Sequence, residues 1–403
     1  MVACPPGKDL WFGEGMAKIN EKITIRVAPF GMDFVFTLYY LAAPLLLIDL
    51  KANPIHLGLV GTLASCVHMG MAHIMGRVSD RLGRRRLIIT APLIFLATCL
   101  LMTRVGQIWI ILALSVLNGL SVSIYWPSLQ AWIADCQKGA GQTGLARDIG
   151  TFNLSWTAAA LAGPILSGFL YSLHPKLPFL VGAAIALMLF VLVYTSVRES
   201  RVKTAQKTPT IDMATSNRRR SFLYAAWTAN FTSWFIMGNA RYQFPMLARE
   251  LGIPHHTIGL LIGFVGLALF TGFFLLRRTD RWLFSRGYLF GAQLLSLAGI
   301  SLLLVSKGFT LFAVGFIMIG LSCSLTYYSS LYYAVHLLKE KGKGTGLHES
   351  ILGGGAVLGP ILGGVAAQYV GLRAPYLLCL IVLLAALGAQ FMIMKKDKNL
   401  TAK

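Results

Sequence analysis

The sequence predicts an all-α integral membrane protein whose twelve transmembrane helices form two pseudo-symmetric six-helix bundles. Three observations carry that prediction. Of the 403 residues, 56% are hydrophobic and 13% charged, whereas soluble domains carry roughly 25% charged residues. The apolar residues come in blocks of about 18 to 28, the length that crosses a hydrocarbon core of about 30 Å. The second half of the chain also repeats the first at nearly constant offsets.

The blocks fall at 24–48, 57–76, 87–104, 107–134, 143–171, 177–196, 221–246, 257–276, 287–305, 309–336, 345–370 and 374–394. With the N-terminus placed in the cytoplasm, 29 of the 36 basic residues lie in cytoplasmic segments. The other face holds only Lys51, Arg104, Lys176, Arg249, Lys307 and Arg373, and Arg241 lies inside a span. Positive charge favours the inner side, so both termini are expected in the cytoplasm, and the expected location is a bacterial inner membrane. In a soluble protein a net charge of +21 would suggest nucleic acid. Here it is a topology signal with some attraction to anionic lipid, and nucleic acid is excluded as the leading partner.

Before the first span, residues 1–22 carry Lys8, Asp9, Glu14, Lys18, Glu21 and Lys22 and lack the apolar core of a signal peptide. Trp11, Phe12, Met16 and Ile19 suit either a short interfacial helix or a tail. Span one carries Asp33 about ten residues in, together with Tyr39 and Tyr40. An ionisable group at that depth is costly and marks function, here a carrier of a proton or a partner for a cation; a structural ion pair is the alternative. Span two carries Cys66, His68, Met69, Met71, His73 and Met75, which could share a face as soft metal ligands. A single helix without partner ligands is better read as membrane packing, and no metal or other cofactor is assigned.

Spans four and five contribute Trp126, Gln130, Asn153 and Trp156. Span seven contributes Trp234, Asn239, Gln243 and Arg241, a cation that could bind a substrate carboxylate or phosphate, or neutralise Asp33. Span ten contributes Tyr327, Tyr328 and Tyr332. This mixture of rings and amides suits a pocket for an organic molecule, although some of these side chains must face lipid. Arg147 and Asp148 open span five, as His348 and Glu349 open span eleven. They are candidates for interhelical salt bridges, or for direct contact with substrate.

The polar segment 198–220 separates residues 1–197 from 221–403. His56 and Asp80-Arg81 recur as His256 and Asp280-Arg281 at an offset of 200. Pro44 and Asp49-Leu50 recur as Pro245 and Glu250-Leu251 at 201, and Thr143-Gly144-Leu145 as Thr345-Gly346-Leu347 at 202. Tyr125-Trp126-Pro127-Ser128-Leu129 matches Tyr327-Tyr328-Ser329-Ser330-Leu331, and Gly163-Pro164 matches Gly359-Pro360. Two parallel six-helix repeats place a substrate site between them, near the bilayer midplane.

Between spans two and three the chain reads Gly76-Arg77-Val78-Ser79-Asp80-Arg81-Leu82-Gly83-Arg84-Arg85-Arg86-Leu87. This resembles the G-x-L-a-D-R-x-G-R-R-x-L signature of the major facilitator superfamily, departing at Val78 and Ser79. Gly76 and Gly83 permit close helix approach and a tight turn, and Asp80 sits at a helix end. The resemblance implies that Asp80 meets the start of span eleven in a cytoplasmic gate. The second copy keeps Asp280 and Arg281 but replaces the glycines by Leu276 and Leu283. Span eleven reads Gly346, Gly355, Gly359-Pro360 and Gly363-Gly364, similar to the antiporter motif of drug:proton exchangers; span five holds a weaker copy around Gly163-Pro164. The Arg that such exchangers carry in span four is absent, since Ser115 stands four residues before Gly119.

The resemblance implies a monomeric secondary transporter rather than an enzyme, since no nucleotide-binding loop and no nucleophile–base set is present. Proton-coupled efflux of a small amphipathic compound is its first implication. Proton-coupled or facilitated uptake of a metabolite, such as a sugar or organic anion, is the alternative, and Arg241 speaks for it. A membrane sensor built on the same fold would be expected to carry an added soluble domain.

Overall fold

The computed structural model describes residues 9–136, 141–197, 217–338 and 341–400; among other side chains, those of residues 9–22 and 136–150 lie outside the description. Among the described residues there are thirteen helices: α1 (Asp9–Asp49), α2 (Pro54–Leu82), α3 (Arg84–Met102), α4 (Ile108–Cys136), α5 (Gly141–Leu173), α6 (Leu177–Ser196), α7 (Asn217–Tyr242), α8 (Phe244–Glu250), α9 (His255–Leu276), α10 (Arg286–Val305), α11 (Phe309–Leu337), α12 (Lys341–Tyr369) and α13 (Ala374–Leu400). Eleven of them contain a stretch long and apolar enough to cross a membrane. The remaining crossing is made by α7 with α8, giving the twelve-helix, two-bundle fold.

That crossing departs from the sequence expectation of one span over 221–246. Pro245 has no N–H to donate and its ring crowds the preceding turn, so the helix breaks at Gln243. The polarity of α7 has a packing reason too. Asn230, Thr232, Ser233 and Asn239 are buried, because α7 packs against α11, α12 and α13 rather than facing lipid. Ser233 shares a hydrogen bond of 2.8 Å with Thr326 of α11, which satisfies both hydroxyls in a setting without water. Lipid-facing helices read differently. Leu180, Leu187, Met188, Val191 and Tyr194 of α6 are all exposed.

The repeat is visible in details that a hydrophobic pattern does not encode. The turns that follow the first span of each half both need a positive φ, at Lys51 (58°) and at Gly252 (73°). Arg85 donates to the last carbonyls of α6, Tyr194 O and Val197 O, both at 2.8 Å. Its counterpart Arg286 donates to Met394 O in α13 at 3.1 Å. Arg85 thus satisfies carbonyls that the end of α6 leaves unpaired, while Arg286 shares a carbonyl within α13. Gly83, at φ 97°, makes the sharp α2–α3 turn that a side chain would strain.

The halves meet through two related pairs, α5 with α9 and α2 with α12. Close approach extends from the middle of α9 at Gly266 to the face opposite the chain ends. There a Cβ on Gly168 or Gly259 would collide with the other helix's backbone, and one on Gly58 or Gly364 with Pro360 O or Pro54 O. Small residues that let backbones touch are the usual device for tight helix pairs in lipid. The hydrogen bonds that cross between halves cluster in the same region: Thr62 Oγ1 to Val357 O at 2.8 Å, Gln243 Nε2 to Pro54 O at 3.3 Å and His256 N to Ser172 Oγ at 3.1 Å.

Candidate functional site

A small cavity of about 10 Å³, room for about one water, marks a closed cleft where α1, α5, α7 and α9 come together, lined by Tyr40, Ala160, Ala240, Arg241, Gly266 and Leu269 among others. Its walls therefore come from both halves. Arg241 supplies its charge, with the guanidinium 5.0 Å from the ring centre of Tyr40 and 5.4 Å from that of Trp234. Both contacts place a cation over an aromatic face, which stabilises it electrostatically. Asp33 of α1 is buried, 8% exposed, and Arg241 is the charged group that acts on it. Among the described residues the two make no ion pair within 4 Å. A carboxylate from one half thus faces a guanidinium from the other without being locked to it.

Toward the face of the chain ends, the cleft is bounded by rings. Trp156 of α5 packs edge-on against Phe273 and Tyr327, with centroids 5.8 and 6.2 Å away. Trp234 lies 6.4 Å from Tyr327. Asn153 accepts from Trp156 Nε1 at 3.1 Å and so fixes the indole. Beyond them Trp126 packs against Tyr125 and Phe152, Gln130 is exposed, and Tyr328 lies 6.0 Å from Phe273 and 5.3 Å from Trp282.

Three residues of the expected pool lie elsewhere. Tyr39 is packed inside the N-terminal bundle, against Phe95 and Phe179, with its hydroxyl 3.4 Å from Ser115 Oγ. Adjacent positions on a helix point about 100° apart, so Tyr40 reaches the cleft and Tyr39 does not. Asn239 donates to Phe235 O at 3.0 Å beside Gly363. Gln243 ties α2 to α12 through Pro54 O and Pro360 O, making it a brace at the seam.

The signature segment sits at the α2–α3 turn. Arg84 is buried and forms ion pairs with Asp135 at 2.8 Å and with Asp80 at 3.4 Å, linking the turn to the end of α4. Asp80 itself is half exposed and paired with Arg84; the side chains of residues 341–345, where the resemblance places its partner, lie outside the description. Asp280, Arg281 and Arg81 are exposed, and Gly76 has only Pro127 nearby. At the start of α12 the described side chains show a hydrogen bond. His348 is fully buried with Nδ1 2.8 Å from Ser330 Oγ, while Glu349 lies near Tyr327. The side chains of Arg147 and Asp148 lie outside the described residues. In α12, Gly355 and Gly359 press against backbone of α7, and Pro360 against Gly238. Gly163 of α5 sits against Thr37. Gly346 meets nothing within 4 Å. In α2, Met69 packs over Gly353, which is the packing role expected of it.

Sequence reasoning missed a cluster at the opposite face. Tyr171 donates to Asp49 Oδ2 at 2.6 Å, Arg249 Nη2 donates to Asp49 Oδ1 at 3.4 Å, and Arg249 Nη1 contacts His255 Nε2. The available signal was the repeat, which aligns Asp49-Leu50 with Glu250-Leu251 and so sets Arg249 beside the equivalent turn.

Comparison with known proteins bears on this arrangement directly. The sequence pattern of the Major Facilitator Superfamily matches residues 27–240 and 226–401. The chain belongs to that superfamily. Its apolar helices are those of an integral membrane member of that superfamily. As a superfamily member it is similar to Multidrug resistance protein 1 of Bacillus subtilis (strain 168), 29% identical over 36% of this chain and 38% of that protein. It is also similar to the quinolone resistance protein NorA of Staphylococcus aureus (strain Mu50 / ATCC 700699), 25% identical over 40% of this chain and 41% of NorA. The matches thus span about two fifths of those curated relatives. Among solved structures, a bacterial homologue of the human lysosomal transporter Spinster, inward-facing and unoccupied, superposes with TM-score 0.73 at 14% identity over 94% of this chain and 98% of that one. The nucleoside transporter NupG gives 0.66 at 14% identity over 93% and 98%. These likenesses show the fold.

Proposed function

We propose that this transporter exports a small amphipathic organic compound in exchange for protons, by rocking residues 1–197 against 221–403 about the segment 198–220. The observation that carries the reading is the placement of Asp33 and Arg241, opposite charges on different halves, beside a cleft that both halves line. Relative motion of the halves changes the field of Arg241 at Asp33 and so couples the carboxyl's proton to the direction in which the cleft opens. The likeness to two proteins named for drug resistance supports the export direction. The structure then represents the state closed toward the outside, with both termini in the cytoplasm of a bacterial cell and the protein acting as a monomer.

The test is accumulation of a fluorescent lipophilic cation in cells that express the protein, with and without a protonophore. Expression is expected to lower accumulation, and the protonophore to restore it. Equal accumulation in expressing and control cells would instead favour uptake of a metabolite. Arg241 supports that second reading, since a guanidinium facing the cleft suits a carboxylate or phosphate.

Asp80 serves the gate in this scheme. Its half-exposed position is the released state, and closure toward the cytoplasm brings the start of α12 against it, where a helix N-terminus favours negative charge by about 0.3–1 kcal/mol. Asp80→Asn is expected to slow turnover in reconstituted vesicles while leaving expression and substrate binding near wild type. Wild-type turnover would remove Asp80 from the gate.

A further inference from the structure

We infer that His255 is a second proton site, separate from Asp33, which holds the opposite face closed when neutral and releases it when protonated. The inference rests on the alternating-access reading but not on the identity of the substrate. Four side chains carry it. Asp49 from the end of α1 and Tyr171 from α5 belong to the first half; Arg249 from α8 and His255 from the start of α9 belong to the second. The Asp49–Arg249 pair at 3.4 Å and the Tyr171–Asp49 bond at 2.6 Å form one connected group across the seam. The ring of His255 completes it, 5.0 Å from that of Tyr171.

The chemistry of the Arg249–His255 contact fixes the protonation state. A guanidinium has donors only, so Arg249 Nη1 against Nε2 requires that nitrogen's lone pair. A hydrogen bond between these two groups is open only to a neutral His255 with its proton on Nδ1. A proton taken from solvent onto Nε2 leaves two donors facing each other and two cations beside the single carboxylate of Asp49. The charged groups acting on His255 are Arg249, Asp49 and its own neighbour His256, and Tyr171 faces it from α5. Of these, Asp49 alone is anionic, and Tyr171 and Arg249 already hold it. Protonation thus sets two cations of the second half against each other, drives Arg249 off Asp49 and so loosens the pair that crosses the seam. Both turns that carry the group, at Lys51 and Gly252, are solvent-facing, so the proton comes from the outer side. Acid outside would then open the outer face and give Asp33 access to the side where protons are abundant.

The test uses the full chain in lipid nanodiscs, with spin labels on genetically encoded keto residues in place of Gln107 and Lys307. Both are exposed residues of opposite-face turns, one from each half. Distances are read at about pH 7.5 and about pH 5.5, which bracket ordinary imidazole titration. The wild type is expected to show one short distance at the higher pH and a several-fold larger long-distance population at the lower. His255→Gln keeps an acceptor without the titration and should stay short at both values; His255→Lys carries a fixed charge and should be long at both. A wild type that does not shift, or a His255→Gln protein that shifts like wild type, overturns the inference. Asp33→Asn should retain the wild-type shift, and its loss there would assign the sensing to Asp33 and overturn the His255 site. If the shift persists in a protein that no imposed pH gradient can drive, proton-coupled export fails and the His255 site stands.

Discussion

Asp33→Asn is expected to abolish transport driven by an imposed pH gradient, while exchange of substrate down its own gradient continues. The physical reason is the position of the carboxyl. It is buried, among the described residues it has no hydrogen bond that would tie it to its own bundle, and the charge acting on it belongs to the other half. An isolated charge at membrane depth costs several kcal/mol, by estimates of roughly 2.5–3.5 or more. Asp33 is therefore tolerated either neutral or opposed by Arg241. Each of those conditions suits one arrangement of the halves, and a group that alternates between them couples a proton to the rocking motion. Asn has nearly the shape of the neutral carboxyl but cannot ionise, so it leaves the cleft intact and removes the alternation. Proteoliposomes with an outward-directed or inward-directed pH gradient read the effect. A mutant still driven by the gradient would place coupling elsewhere.

The sequence made the crossings legible because a bilayer imposes one length on every apolar block. The expected spans and the observed helices differ by only a few residues at most ends, and α6 was expected at the limits observed. The exception at Gln243 has a cause already written in the chain, Pro245. What periodicity could not supply was rotation about each helix axis. Span one is buried over most of its length, so no polar face marks its phase, and Tyr39 and Tyr40 looked equivalent although one is core and the other lines the cleft. Asn239 and Gln243 carried the same ambiguity. Their amides look like ligand groups in a sequence but here bond backbone of their own or neighbouring helices. The Asp49–Tyr171–Arg249–His255 group was hidden for another reason: its members are up to about 200 positions apart, and only docking of the halves unites them. Asp80 shows a third limit. A signature can name a gate, but which partner the residue meets depends on the state of the transporter, and the state is not written in one motif.

The second large effect is expected at Gly266, a glycine that no sequence motif singles out. A Cβ there would run into backbone atoms of Ala160 and Leu161 in α5. Backbone in the middle of a packed helix cannot step aside as a side-chain tip can. Leucine at this position must therefore push α9 away from α5, and the strain of such overpacking is about 1–3 kcal/mol. That is enough to shift a two-state balance by roughly 5- to 150-fold. Gly266→Leu should accordingly lower the thermal stability of the purified protein and cut transport by at least about fivefold, since this state is one end of the cycle. The specificity of the argument is tested by Gly291→Leu in α10. That glycine is exposed and has nothing within 4 Å of its missing Cβ, so the same substitution should change stability by no more than about 0.5 kcal/mol. Equal losses at both positions would mean that leucine harms the fold generally. A loss confined to Gly266 would show that this state depends on backbone contact between α5 and α9 at the level of the cleft, apart from the Asp49–Arg249 pair and His255 at the opposite face.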